Sequence, residues 1–212
     1  MLLSALVPPW PRLAASAGHS ELTTSDADHA DAEAARIELI AQRHLDSVWR
    51  CARDLGVPAR DLEDIAQEVM LVCVRRLRDI DVGRERAFLL ATTTRVVANW
   101  RRGQRRRPAE SLERVQELDT ADLDPRVRRG GPAEALEHKR DLELVQAALE
   151  QMTECQRVAF TLFEIEGLTA REIADELGLS EMIVFARVQR ARAVFHRFVA
   201  RARSEGEGPG AA

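Results

Sequence analysis

Apolar residues recur along this chain at steps of three and four, and no stretch alternates at steps of two. That regularity admits helices and excludes a sheet. Leu62, Ile65, Val69, Val72 and Leu77 make one apolar face, and Phe88, Leu89, Val96 and Val97 make another between Ala87 and about Arg102. Thr92, Thr93 and Thr94 interrupt the second helix with poor intrinsic formers, so packing must hold it. Aromatic residues are only 4% of the chain, with no tyrosine, which argues further against an aromatic-rich sandwich or barrel.

Composition shifts divide the 212 residues. Residues 1–34 are rich in Ala, Ser, Pro and Asp without periodicity and are expected to form a disordered acidic tail. Residues 35–107 are helical in pattern. Residues 108–132 lose the period, gather acids and prolines and close on Gly130-Gly131-Pro132, which marks a linker. Residues 133–203 are helical again, and 204–212 form a Gly- and Glu-rich tail. The expected fold class is all-α, as two small helical domains of roughly 70 residues each, near the lower size limit for independent folding.

Two capping boxes, Thr153 with Gln156 and Thr169 with Glu172, mark helix starts in the second domain. Gly167 sits where the preceding helix must stop, and Gly178 separates a short helix from a longer one beginning at Ser180. Two helices joined by such a tight turn form a helix-turn-helix. Ile173, Ala174 and Leu177 would face Val184, Val188, Ala191, Phe195 and Phe198. The opposite face carries Met182, Ala186, Gln189, Arg190, Ala193 and Arg197. Met182 to Arg203 holds six arginines and no acid, inside a chain with Lys+Arg 31 against Asp+Glu 35 and a net charge of −4. The chain has a single lysine, Lys139, so part of that arginine content is compositional; the local imbalance still favours DNA contact over a merely solvated helix.

The first domain carries surfaces of opposite sign. Asp61 to Met70 holds four acids and no base, and Asp64, Gln67 and Glu68 share a helix face. A metal or general-acid site, a solvated face and a docking surface for a basic partner helix all remain open, although no histidine lies nearby. Downstream, Arg101, Arg102, Arg105, Arg106 and Arg107 follow Asn99-Trp100. Arginines beside an aromatic suit phosphates and a stacked, unpaired base, or Trp100 belongs to the core, as Trp49 is expected to.

Cys51, Cys73 and Cys155 are odd in number and scattered, giving neither a disulfide framework nor a metal-ligand spacing. No apolar run approaches the ~18 residues of a membrane span. The apolar start before Pro8-Pro9 lacks the basic front of a signal peptide. A cytoplasmic protein without cofactor, metal or catalytic residues is expected.

Asp61-Leu62-Glu63-Asp64-Ile65-Ala66-Gln67-Glu68-Val69-Met70, followed by Phe88 to Arg107, resembles region 2 of a sigma factor. Leu149 to Arg197, with Arg187-Val188-Gln189-Arg190-Ala191-Arg192, is similar to region 4. Both regions with no domain between them resemble the extracytoplasmic-function group of bacterial RNA polymerase sigma factors, within the sigma-70 family.

The resemblance implies that Asp61, Asp64, Gln67 and Glu68 dock the clamp coiled coil of the polymerase largest subunit. It implies that Arg84, Arg86, Arg95, Asn99, Trp100, Arg101, Arg102 and Arg105 lie along the −10 element, where a non-template base is flipped out. The helix from Ser180 would enter the major groove of the −35 element, with Phe185, Ala186, Gln189 and Arg190 near base edges, Arg171 and Arg187 on phosphates, and Met182 in the same DNA-binding set. An anti-sigma partner is implied as well. The chain departs from the family pattern at Ile183 and Ala186, where hydroxyl residues are usual, and at Phe88 and Arg95.

A linker of about 25 residues reaches at most ~85 Å, enough to bridge elements ~70 Å apart if nearly extended. The expected function is therefore binding core polymerase, recognising −35 duplex and melting the −10 element. The alternatives are a helix-turn-helix regulator acting on duplex DNA without polymerase, and an enzyme built on the Asp61–Glu68 carboxylates.

Overall fold

The computed structural model describes residues 24–106 and 132–206, all within helices, turns and short connections. Seven α-helices follow one another there: α1 (Thr24–Asp54), α2 (Ala59–Arg75), α3 (Glu85–Arg106), α4 (Pro132–Glu150), α5 (Glu154–Phe160), α6 (Ala170–Leu177) and α7 (Glu181–Gly206). One 3-10 turn, Leu77–Asp79, follows α2, and a π-helical turn, Thr161–Ile165, follows α5.

Three boundaries differ from expectation. Helix α1 begins at Thr24, well inside the stretch read as a disordered tail. Its opening turns contain Ala27, Ala30, Ala32, Ala34 and Ala35, and alanine is the strongest helix former even without an apolar stripe. Pro132, placed in the linker, is the first residue of α4, where its missing N–H has no intrahelical role. Ser204 to Gly206, placed in the C-terminal tail, still belong to α7. The remainder of both expected tails and the linker, 1–23, 108–131 and 207–212, lie outside the described residues, as does Arg107 at the end of the first domain.

From Arg36 onward the described helices pack as one unit. Helices α1–α3 meet through Val48, Cys51 and Ala52 of the first, Leu55 of the turn that follows it, Leu62, Ile65, Ala66, Val69 and Met70 of the second, and Leu89, Leu90, Val96 and Val97 of the third. The α3 threonines are buried, as packing on a weak segment requires. The Thr93 hydroxyl donates to the Leu89 carbonyl and that of Thr94 to the Ala91 carbonyl, each at 2.8 Å, so two of the three hydroxyls bond within their own helix.

The same core continues into the second half through Ala159, Leu162, Leu168, Ala170, Ile173, Ala174, Val184 and Val188. A satellite cluster of Leu149, Met152, Phe160 and Ala191 closes α4 over α5 and α7, with the rings of Phe160 and Phe195 stacked at 5.3 Å. Two halves expected to stand apart on a linker thus share one core. Each is small enough that pooling apolar surface adds materially to its stability.

Candidate polymerase and nucleic-acid interfaces

Three surfaces carry the residues singled out in the sequence. On α2, Leu62, Ile65, Ala66, Val69, Met70 and Cys73 are buried, which turns Asp64, Gln67 and Glu68 to solvent together. Asp61 sits at the margin of that face: its carboxylate is half-buried, 3.9 Å from Arg60 Nε. Leu71 and Val74 lie on the same outer face, 43% and 37% exposed. Sequence reading missed both, although their offsets from Gln67 place them there. An acidic face continued by exposed apolar residues toward the helix C-terminus is what a basic amphipathic helix can bind.

Arg84, just before α3, and Arg86 and Arg95 on it are hydrogen-bonded to the second half of the chain, whereas Arg101 and Arg102 hydrogen-bond within the first. Arg84 Nη2 donates to Asp175 Oδ2 of α6 at 2.9 Å, and Arg86 Nη2 donates to Glu166 Oε2 at 2.7 Å. Arg95 donates to the Glu176 carbonyl at the end of α6. Arg101 donates to the Leu55 carbonyl and lies 3.8 Å from Glu154 of α5. Arg102 donates to the Asn99 side chain next to it. Trp100 and Trp49 are both half-buried against the core. Arg105 belongs to α3, but its side chain lies outside the described residues.

Glu166 is the centre of this joint, and the sequence reading did not single it out. Its side chain is 1% exposed and faces two guanidiniums, Arg86 at 2.7 Å and Arg50 Nε at 3.7 Å. The π-helical turn places it: the Glu166 N–H donates to the Thr161 carbonyl and that of Leu168 to Leu162, both at 2.9 Å, across Gly167 at φ +67°. An acid inside the apolar run Leu162, Phe163, Ile165, Leu168 is the only signal sequence could have given. Beside it, Gln146 Nε2 of α4 donates to Asp54 Oδ1 of α1 at 2.7 Å. Burial pushes the Asp54 carboxyl up to about 6; nearby Glu166 adds to the rise, while Arg53, Arg50 and the Gln146 hydrogen bond oppose it.

The helix-turn-helix has the expected local chemistry. The Thr169 hydroxyl accepts from the Glu172 N–H at 3.2 Å and the Glu172 carboxylate accepts from the Thr169 N–H at 2.8 Å. The Thr169 hydroxyl, which also donates to the Glu172 carboxylate at 2.6 Å, and the Thr169 N–H together hold the Glu172 carboxyl below its ordinary value. Gly178 takes the left-handed conformation, φ +67°, that ends α6, and the Ser180 hydroxyl accepts from the Ile183 N–H at 3.3 Å to open α7. Val184, Val188 and Ala191 are buried. Met182, Phe185, Gln189 and Arg190 are exposed, Ala186 and Arg187 are half-buried, and Arg171 on α6 is exposed. Among the described residues no three His, Cys, Asp or Glu side chains gather as a metal site requires. No described helix is long and apolar enough to cross a membrane.

Comparison with known proteins agrees with this layout. The sigma-70 region 2 family model matches residues 40–107, and the sigma-70 region 4 model matches 142–194. The chain is 30% identical over 170 residues to the ECF RNA polymerase sigma factor SigE of Mycolicibacterium smegmatis, covering 79% of this chain but 63% of that protein. It is 28% identical over 155 residues to the RNA polymerase sigma factor NccH of Alcaligenes xylosoxydans xylosoxydans, covering 73% of this chain and 81% of the relative. Among solved structures, the sigma factor RpoE of Bartonella quintana, in complex with the anti-sigma factor NepR, shares the fold at a TM-score of 0.57 and 19% identity, over 78% of this chain and 94% of that one. With region 2 in its first half, region 4 in its second and relatives of that kind, the chain belongs to the sigma-70 family, in its extracytoplasmic-function group.

Proposed function

We propose that this chain is a promoter-specificity subunit of RNA polymerase, acting in the cytoplasm by binding alone and performing no chemistry of its own. The observation that carries the reading is the pairing, in one chain, of an acidic α2 face continued by exposed Leu71 and Val74 and an arginine-flanked helix-turn-helix at α6–α7. A duplex-binding regulator needs only the second.

Asp64, Gln67 and Glu68 dock a basic coiled coil of the polymerase, with Leu71 and Val74 supplying the apolar contact and Asp61 at the edge. Helix α7 enters the −35 major groove, where Gln189 and Arg190 face base edges while Arg171 and Arg187 hold phosphates. Arg84 before α3 and the α3 residues Arg86, Arg95, Asn99, Trp100, Arg101, Arg102 and Arg105 serve the −10 strand. In the arrangement described above, Arg84, Arg86 and Arg95 are held by α6 and the turn before it, so −10 engagement goes with separation of the two halves. An anti-sigma factor, like the partner seen with the Bartonella relative, would act by favouring a form in which these surfaces are covered.

The test is Glu68→Arg, an exposed substitution that leaves the core untouched. It is expected to lower the yield of polymerase holoenzyme, and run-off transcription with it, by at least about tenfold, while the variant binds duplex DNA as well as the parent chain. Equal loss of both activities, or of neither, overturns the reading.

A further inference from the structure

We propose that the duplex element taken by α7 is recognised through thymine 5-methyl groups, seated against Met182, Phe185 and Ala186. The inference rests on α7 being the major-groove helix and specifies what that helix reads.

The first two turns of α7 present an apolar surface to solvent. Met182 is 78% exposed and Phe185 47%. Met182, Phe185, Ala186 and Gln189 stand at i, i+3, i+4 and i+7 and so form one stripe, opposite the buried Val184, Val188 and Ala191. Phe185 is also supported from behind. Its ring meets the Phe163 ring edge-on at 6.1 Å; the Arg192 guanidinium lies 5.8 Å from the Phe163 centroid, and Arg192 Nε donates to Glu164 at 2.6 Å. A ring held in this way presents a fixed apolar face before any ligand arrives.

The stripe's surroundings decide what can occupy it. Met182 to Arg203 contains six arginines and no acid, and Arg171 adds an exposed cation from α6. An apolar strip bordered by cations suits a ligand that is anionic at its edges and locally apolar at its centre. The thymine methyl is the apolar group that the major groove presents. Along the helix Met182 and Gln189 are about 10 Å apart at ~1.5 Å per residue, the span of about three base pairs. Gln189 then falls beside the base pair after the methyl contacts, where an amide suits adenine, with Arg190 next to it suited to guanine.

The full chain is mixed with a pool of duplexes randomised at their centre, and the bound sequences are selected. Each thymine of the selected site is then replaced by deoxyuridine, which removes only the methyl. The selected site is expected to hold at least two neighbouring thymines whose replacement weakens binding about fourfold each, as the loss of one buried methyl implies. Met182→Ser and Phe185→Ser should weaken binding to the thymine duplex and lose sensitivity to deoxyuridine at one position each. A selected site without such thymines, or deoxyuridine bound as tightly as thymine, overturns the methyl contact while leaving a polymerase subunit that still transcribes. Serine variants that bind the duplex normally but lose a protein partner overturn it too, by assigning the strip to that partner. If the chain selects no duplex at all, both the methyl contact and the role of α7 as the −35 reader fall.

Discussion

The arginines of α3 and those of α6–α7 are the same residue type put to opposite uses. Arg84, just before α3, and Arg86 on it are engaged by carboxylates and Arg95 and Arg101 by backbone carbonyls; the partners of Arg84, Arg86 and Arg95 belong to the other half. Around the helix-turn-helix, Arg171 and Arg190 are exposed and Arg187 half-exposed, and none of the three has a partner among the described residues. A guanidinium already bonded to a buried carboxylate must lose that bond before it can hold a phosphate, whereas an exposed one exchanges only water and counterions. One surface is therefore conditional on a change of shape and the other is ready as it stands. The DNA-facing charge of this chain cannot be read from arginine positions alone.

Removing the carboxylate at the joint should break that contrast most sharply. Glu166 is almost wholly buried and faces Arg50 and Arg86, whose side chains keep 24% and 35% of their exposure. Glu166→Gln leaves both cations without a compensating charge; because each keeps contact with water, the cost falls below the ~3 kcal/mol of a fully buried pair. The halves should then separate at the joint, raising the radius of gyration in small-angle scattering. With Arg86 released, the chain should also bind DNA more strongly at low salt. An unchanged radius and unchanged DNA affinity would mean that Glu166 is dispensable to the joint.

Asp54 sharpens the same contrast through pH. Its carboxyl titrates near 3.8 in an open chain but is pushed up to about 6 in the fold. Between those values the folded state retains a proton that the unfolded state has released. Stability from this group is therefore complete below about 3.8 and is lost as pH rises through about 6, with nothing further above it. Glu172, held low by its capping hydrogen bonds, acts in the opposite sense and loses its contribution as pH falls. Asp54→Asn removes only the first effect and keeps an oxygen to accept from Gln146 Nε2. At pH 7.5 the variant should be more stable than the parent by about 3 kcal/mol, shrinking towards zero near pH 4. Thermal unfolding at several pH values measures this, and parallel curves at all of them would show that Asp54 does not feel the joint.

Local chemistry was legible in the sequence and long-range chemistry was not. The box of Thr169 and Glu172, the stop at Gly178 and the buried stripe Val184, Val188, Ala191 each depend on residues within a few positions of one another, and each stands where the pattern placed it. The acidic α2 face was legible for the same reason, and Leu71 and Val74 could have been added to it by extending the count. Glu166 and Arg86 are 80 residues apart, and nothing in either neighbourhood names the other. The π-helical turn that aims Glu166 inserts into an apolar run without changing its composition. The helical start of α1 failed for another reason: alanine-rich sequence without an apolar face resembles disorder when only packing is sought. Trp100 falls between the two readings weighed for it, half-buried at the edge of the core rather than free or enclosed.

The smallest effect compares the two arginine surfaces directly. Each phosphate contact made by a cation releases counterions, so its removal lowers the slope of log affinity against log salt by about one unit. Arg187→Ala, on the ready surface, should lower that slope by about one for the free chain on any duplex, weakening binding almost uniformly across sequences. Arg84→Ala should leave the slope of the free chain unchanged, because the Arg84 guanidinium is bonded to Asp175 and is not among the cations that meet phosphate. Asp175→Asn reverses the prediction for Arg84: freed of its partner, Arg84 becomes available, the slope should steepen, and a second change of Arg84 to Ala should then return it to the parent value. If Arg84→Ala and Arg187→Ala lower the slope equally in the unaltered chain, the α3 surface is already open in solution and the distinction between a conditional and a ready surface fails.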